Sequence, residues 1–178
     1  MKPRGPLMIE HRLIEKMFTV VDRECEAIVE TGKVDPIFID TTVDFIRTYA
    51  DRTHHGKEED ILFRDLAKMS LSEKDREAME ELVEEHRYAR KTVGELVAAK
   101  DRYVGGEHQA LDVILEKLRG LTAFYPEHIR KEDKSFFPDT ERYFTQQQLD
   151  AMLEEFWEFD SKMIHEKYKK VVEDQGGR

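Results

Sequence analysis

Four histidines in this chain are placed where they could share a metal centre. His11, His54, His86 and His128 each interrupt a different apolar stripe of helical period: Leu7 to Ile14, Ala50 to Ile61, Leu82 to Val93, and the stripe that ends at Tyr125. In an antiparallel bundle of helices of similar length, two residues share a depth when they are equidistant from the turn that joins their helices. The midpoint of positions 11 and 54 is 32.5, that of 54 and 86 is 70, and that of 86 and 128 is 107. All three midpoints fall in breaker segments, at Gly32 and Lys33, at Ser70, and beside Gly106. The four imidazoles are therefore expected at one level of a common core.

Two of the histidines carry a carboxylate one turn later, His54 with Glu58 and His128 with Glu132, and residues four apart share a helix face. The surrounding residues repeat. His54-His55-Gly56-Lys57-Glu58-Glu59 parallels His128-Ile129-Arg130-Lys131-Glu132-Asp133, and Glu10-His11-Arg12 parallels Glu85-His86-Arg87. A helix pair used twice gives four imidazoles and two carboxylates with pseudo-twofold symmetry. That set suits two metal ions with Glu58 and Glu132 as bridges, leaving room for a solvent bridge and an exogenous ligand. Mixed nitrogen and oxygen donors favour iron, with manganese or zinc as alternatives. A purely structural layer of this kind would bury two carboxylates and four imidazoles at a cost of several kcal/mol.

The elements that must position these groups are helices. Charged residues make up 38% and apolar residues 39% of the 178, with 9 Gly and 5 Pro, the profile of long amphipathic helices. Asp35 before Pro36, a Ser70/Glu73 capping-box spacing, Gly105-Gly106, Pro138-Asp139 and a Thr145/Gln148 capping-box spacing divide the chain. Helices are expected near 6–31, 36–68, 72–104, 108–137 and 146–173. The fold class is all-α: an up-and-down antiparallel four-helix bundle over residues 1–140 with an additional C-terminal helix over 141–178. That helix, with Leu149, Met152, Phe156, Phe159 and Met163 on one side, is expected to pack on the bundle or, as a homodimer contact, on a second subunit.

The remaining residues are assigned by the same logic. His55 rivals His54 in a shifted register with Glu59, and the midpoints favour His54. His108 and His165 are read as surface residues, Lys57 and Lys131 as solvated or snorkelling charges, and Cys25 as buried core. Tyr125, one turn before His128, is read as core or as a hydrogen-bond donor behind the ligands, and Pro126 as a bend in the fourth helix. Glu15 and Arg90 occupy corresponding positions of the repeat, so they are expected to form a buried ion pair, with Glu15 as an extra ligand the alternative.

This histidine and carboxylate pattern resembles the hemerythrin-like, HHE cation-binding family over residues 7–137, in the HxxKE[ED]xx[LF]F form of its bacterial and archaeal members. The resemblance implies a non-haem di-iron centre, two iron ions with an oxo, hydroxo or water bridge, held by His11, His54, Glu58, His86, His128 and Glu132. It implies a small ligand, dioxygen, nitric oxide or peroxide, and the apolar Ile14, Phe18, Ile61, Leu62, Val93 and Leu121 are expected to form a dry pocket that limits access to it. The sequence departs from hemerythrins proper at Arg90, where they carry a second third-helix histidine; Arg stays protonated and cannot ligate. A four-histidine site would be more open and could react with its ligand. An iron-responsive regulatory module without turnover is the other function considered. A ferritin-like carboxylate oxidase is disfavoured, because no histidine here follows a Glu by three residues.

Composition excludes other classes. A net charge of −10 without a basic block argues against nucleic acid. One cysteine gives no internal disulfide, and the absence of a long apolar run leads to the expectation of a cytoplasmic protein without a membrane segment.

Overall fold

The computed structural model describes residues 2–176, without the side chains of 166, 168 and 170–176. α1 (Arg4–Thr31) buries Leu7, Ile14, Phe18, Val21, Cys25 and Ile28 and stops at Gly32, whose φ of 65° lets its N–H donate back to the Ile28 carbonyl. α2 covers 36–66. Asp35 caps it by accepting from the Ile37 N–H, and Pro36 presets its first turn. α3 (Glu73–Val104) starts at Ser72, whose hydroxyl accepts from the Asp75 N–H, so the capping pair is Ser72 with Asp75 rather than Ser70 with Glu73. α4 covers 110–140 and runs through Pro126; Pro138 does not end it but opens the closing turn Phe137–Thr140. α5 (Gln146–Gly176) begins with the reciprocal Thr145/Gln148 box.

α1 and α3 each pack against both α2 and α4, so the four helices form an antiparallel square with α1 and α3 on one diagonal. Three stretches of these helices are not regular α-helix. α2 widens to π geometry over Ile46–His55 and Glu58–Phe63, and α4 does so over Glu132–Phe136. These stretches carry His54, Glu58 and Glu132, while His128 lies in the regular turn just before the last of them, and π turns inside α-helices frequently occur at functional sites.

α5 lies on α2 of the same chain. Leu149, Met152 and Phe156 are buried with Leu7, Leu62, Phe63 and Phe137, and Arg64 makes a fork to Glu155 at 2.6 and 2.8 Å. The approach is closest at Gly56, where a Cβ would meet Phe159 Cζ at 2.7 Å. Gly56→Val is therefore expected to cost about 1–3 kcal/mol by overpacking, measured as a fall in the denaturant midpoint at unchanged helix content. None of the described helices is long and apolar enough to cross a membrane.

Candidate metal centre

The apolar stripes form two clusters with a polar layer between them. Ile14, Phe18, Ala50, Val93, Leu121 and Tyr125 belong to one, and Leu7, Ile61, Leu62, Leu82 and Phe136 to the other. The histidines lie at the positions in between, and His11, His54, His86, His128, Glu58 and Glu132 are all buried. The four-histidine level expected from the midpoints is thus present.

The layer divides into two sets of convergent donor atoms. His11, His54, Glu58 and Glu132 form one, and His55, His86 and His128 form the other, the atoms of each set lying within 4.8 Å of one another. The two carboxylates reach across. Glu58 oxygens lie 3.3 Å from His54 Nε2 and 3.4 Å from His86 Nε2. Glu132 oxygens lie 3.1 Å from His11 Nε2 and 3.3 Å from His128 Nε2.

His55 is the residue that regular helical periodicity misplaces. Neighbours on an α-helix point about 100° apart, so His54 and His55 read as alternatives. In the widened turn both are buried, and His55 stacks on His86 at a centroid distance of 3.8 Å. Its counterpart in the repeat, Ile129, is also buried, so the fifth imidazole breaks the pseudo-twofold symmetry.

Each imidazole is oriented from behind by a carboxylate. His11 Nδ1 donates to Asp133 at 2.7 Å, His54 Nδ1 to Glu10 at 2.8 Å, His86 Nδ1 to Glu59 at 2.6 Å and His128 Nδ1 to Glu85 at 2.7 Å; His55 Nδ1 reaches Asp51 at 3.3 Å. The repeat encodes this. The Glu preceding the α1 or α3 histidine holds the histidine of the adjacent helix, and the second acid of each acidic pair holds the α1 or α3 histidine. With Nδ1 occupied, Nε2 of every ring faces inward as a lone-pair donor, as in carboxylate–histidine–metal arrangements.

The protein's own groups leave this layer unbalanced. Nε2 of His55, His86 and His128 and all four oxygens of Glu58 and Glu132 are buried without a hydrogen-bond partner among the described residues. His11 Nε2 and His54 Nε2 face each other at 2.8 Å. Burial opposes charging of His11, but hydrogen bonding to Asp133 and the nearby Glu132 lifts it to about 9. Burial, against the pull of Glu10, brings His54 down to about 4. Burial, reinforced by His86, His54 and His128, pushes His55 well below the usual imidazole range. Burial and the adjacent Glu132 raise Glu58 well above the carboxylate range; Glu132 itself is held low, because His128, His11 and His86 outweigh its burial. Seven inward side chains, five imidazoles and two carboxylates, of which all but the mutually facing His11 and His54 have donor atoms without a partner, fit two divalent or trivalent cations in a three-nitrogen and a two-nitrogen position with shared carboxylates.

Several expectations change. Glu15 is half-buried and pairs with Arg12 at 3.0 Å, whereas Arg90 bonds Asp51 and Glu59, each at 2.7 Å. Corresponding positions of the repeat lie on α1 and α3, across the diagonal, so the Glu15–Arg90 pair does not form and Glu15 does not approach the donor atoms. Arg90 instead buttresses Glu59, the acceptor of His86. Lys57 is fully buried rather than solvated, bonded to Glu10 and Asp160, because α5 covers it. Lys131 stays partly exposed, paired with Glu81 and Glu85, and His108 and His165 are exposed. Tyr125 is buried against Phe18 at 4.1 Å with its hydroxyl unpartnered, and burial raises its phenol pKa, so it remains a donor.

A cleft of about 280 Å³ opens between α2, α3 and α4 onto the three-histidine set, lined by His55 and Tyr125 inside and by Arg47, Asp51, Arg52 and Arg90 toward solvent. Of the six apolar residues expected around a dry pocket only Val93 lines it; the others pack above and below the polar layer.

Comparison with curated proteins and with solved structures finds no match. The profile of the hemerythrin HHE cation binding domain matches residues 6–140, which include every donor in the layer. The chain belongs to the hemerythrin HHE cation-binding domain family.

Proposed function

We propose that the protein is a hemerythrin-type di-iron protein that binds or reacts with a small ligand, dioxygen, nitric oxide or peroxide, admitted through the cleft at His55 and Tyr125. The observation that carries this reading is the set of inward, convergent donor atoms, grouped as three unpartnered imidazoles, two imidazoles that face each other, and two unpartnered carboxylates between them. His55, His86 and His128 would hold one ion and His11 and His54 the other, with Glu58 and Glu132 shared. His55 brings the imidazole count to five from α2, where hemerythrins proper draw the fifth from the third helix, so Arg90 does not leave the shell short. Iron, when bound, would supply reversible one-electron chemistry toward the ligand. The chain's own residues orient the rings through Asp133, Glu10, Glu59, Glu85 and Asp51, exclude bulk water with the two apolar clusters, and offer the Tyr125 hydroxyl to a ligand in the cleft.

The reading is tested with iron-reconstituted, reduced protein exposed separately to oxygen, nitric oxide and peroxide. A rapid optical and redox change with at least one of them is expected; no change with any of the three contradicts it. Tyr125→Phe should retain full metal content while the ligand dissociates about 10-fold to 100-fold faster, the consequence of losing one hydrogen bond to a charged group. Stopped-flow displacement measures that ratio. A second reading, a metal-responsive module without turnover, is favoured by one observation, the run of contacts from Asp160 on α5 through Lys57 and Glu10 to His54.

A further inference from the structure

The two halves of the repeat carry equivalent lysines, and the structure treats them differently. Lys131 reaches Glu85, the acceptor for His128 Nδ1, and is 38% exposed. Lys57 reaches Glu10, the acceptor for His54 Nδ1, and is completely buried. The cover is α5. Asp160 takes the Lys57 ammonium with both carboxylate oxygens, at 2.7 and 2.8 Å, and the ammonium lies 5.9 Å from the centre of the Phe156 ring.

An unbroken chain of ionic and hydrogen-bonded groups therefore runs from α5 through α2 to α1 and back into the donor layer: Asp160, Lys57, Glu10, His54. Glu10 holds the His54 ring with one oxygen and Lys57 with the other, so its position depends on both. A buried ammonium has a large desolvation cost unless its partners stay in place. If α5 moves away, Lys57 loses Asp160 and is free to follow solvent, and Glu10 loses the contact that fixes its second oxygen. On the other half, the partners of Lys131 among the described residues are Glu81 and Glu85, both on α3.

We propose that Lys57 and Asp160 are positioning residues through which docking of the C-terminal helix and metal occupancy at His54 stabilise each other. The proposal rests on the metal-binding reading above. Linkage requires the effect to be reciprocal: metal bound to a fixed His54 tightens α5, and a docked α5 tightens metal.

The test uses the full chain with iron(II) and, as a redox-silent probe, zinc(II). In the wild type, metal addition is expected to slow amide exchange in 149–163 by about tenfold. Lys57→Met and, as a milder variant that keeps the side-chain shape, Asp160→Asn should each lower the affinity of the ion held by His11 and His54 by about tenfold, the usual scale for a residue behind a metal ligand. Both variants should also abolish the metal-dependent protection of α5. Lys131→Met, which perturbs the other half of the repeat, should leave that protection in place. Wild-type protein that binds two ions without any change in α5 exchange overturns the proposal alone, as does Asp160→Asn with affinity within twofold of wild type and α5 still responding to metal. Wild-type protein that binds no metal overturns both the proposal and the reading on which it rests.

Discussion

Glu132→Ala is expected to empty both metal positions, whereas His55→Ala should weaken mainly one. The Glu132 carboxylate faces His11 on one side and His128 on the other, at 3.1 and 3.3 Å, with His86 Nε2 at 3.9 Å. Removing it leaves two cations to be held by imidazoles and one remaining carboxylate, with the positive charge of the layer largely uncompensated. Breaking a buried charge interaction in this way costs about 3–5 kcal/mol, which is on the order of 10³-fold in affinity. Metal analysis after desalting should fall from about two ions per chain to a small fraction of one. His55 contributes only to the set with His86 and His128, so His55→Ala should leave the ion between His11 and His54 in place. A Glu132→Ala protein that keeps two tightly bound ions would remove the shared role assigned to this carboxylate.

Metal removal should have the second largest effect, on stability. Without cations the layer contains unpaired ring nitrogens and carboxylate oxygens between two apolar clusters, and buried polar groups without partners each cost about 1–3 kcal/mol. Equivalently, a ligand present at 100 times its Kd stabilises the folded state by about 2.7 kcal/mol per site, so two sites give about 5 kcal/mol. For a chain of this size that corresponds to a Tm lower by about 10–20 °C after chelation. Differential scanning calorimetry with and without chelator measures it, and re-addition of metal should restore the original value. A Tm that is indifferent to chelation would mean that the carboxylates and imidazoles are satisfied by other means.

Much of this was legible in the sequence because it depends on periodicity and on symmetry about turns. The depth of His11, His54, His86 and His128 follows from their distances to the breaks near 32, 70 and 107, and those breaks are marked by Gly32, Ser72 and Gly105-Gly106. The carboxylates behind the rings were also present in the repeat, as Glu10 and Glu85 before the α1 and α3 histidines and as Glu59 and Asp133 after the shared glutamates. Only their role had to be seen in space.

What could not be read locally has specific causes. His55 joins the layer because α2 winds more loosely there, a departure from 3.6 residues per turn that sequence periodicity cannot register. Lys57 was misplaced because its burial is decided by a helix about a hundred residues away in the chain, through Asp160 and Phe156. Glu15 and Arg90 were paired by repeat symmetry, but equivalent halves of a square bundle face each other across the diagonal, and each residue met a nearer partner. The cleft likewise opens beside Tyr125 and three arginines rather than through the apolar side chains that line the stripes.

The central claim is that two cations sit in this layer, one among His55, His86 and His128 and the other between His11 and His54. An anomalous-scattering map from crystals of the iron-reconstituted protein, recorded at the iron absorption edge, tests it most directly. Two peaks per chain are predicted, each bordered by the imidazole Nε2 atoms of its own set and both in contact with Glu58 and Glu132. A single peak, a peak bonded to Glu15 or His108, or no peak in iron-reconstituted crystals would contradict it.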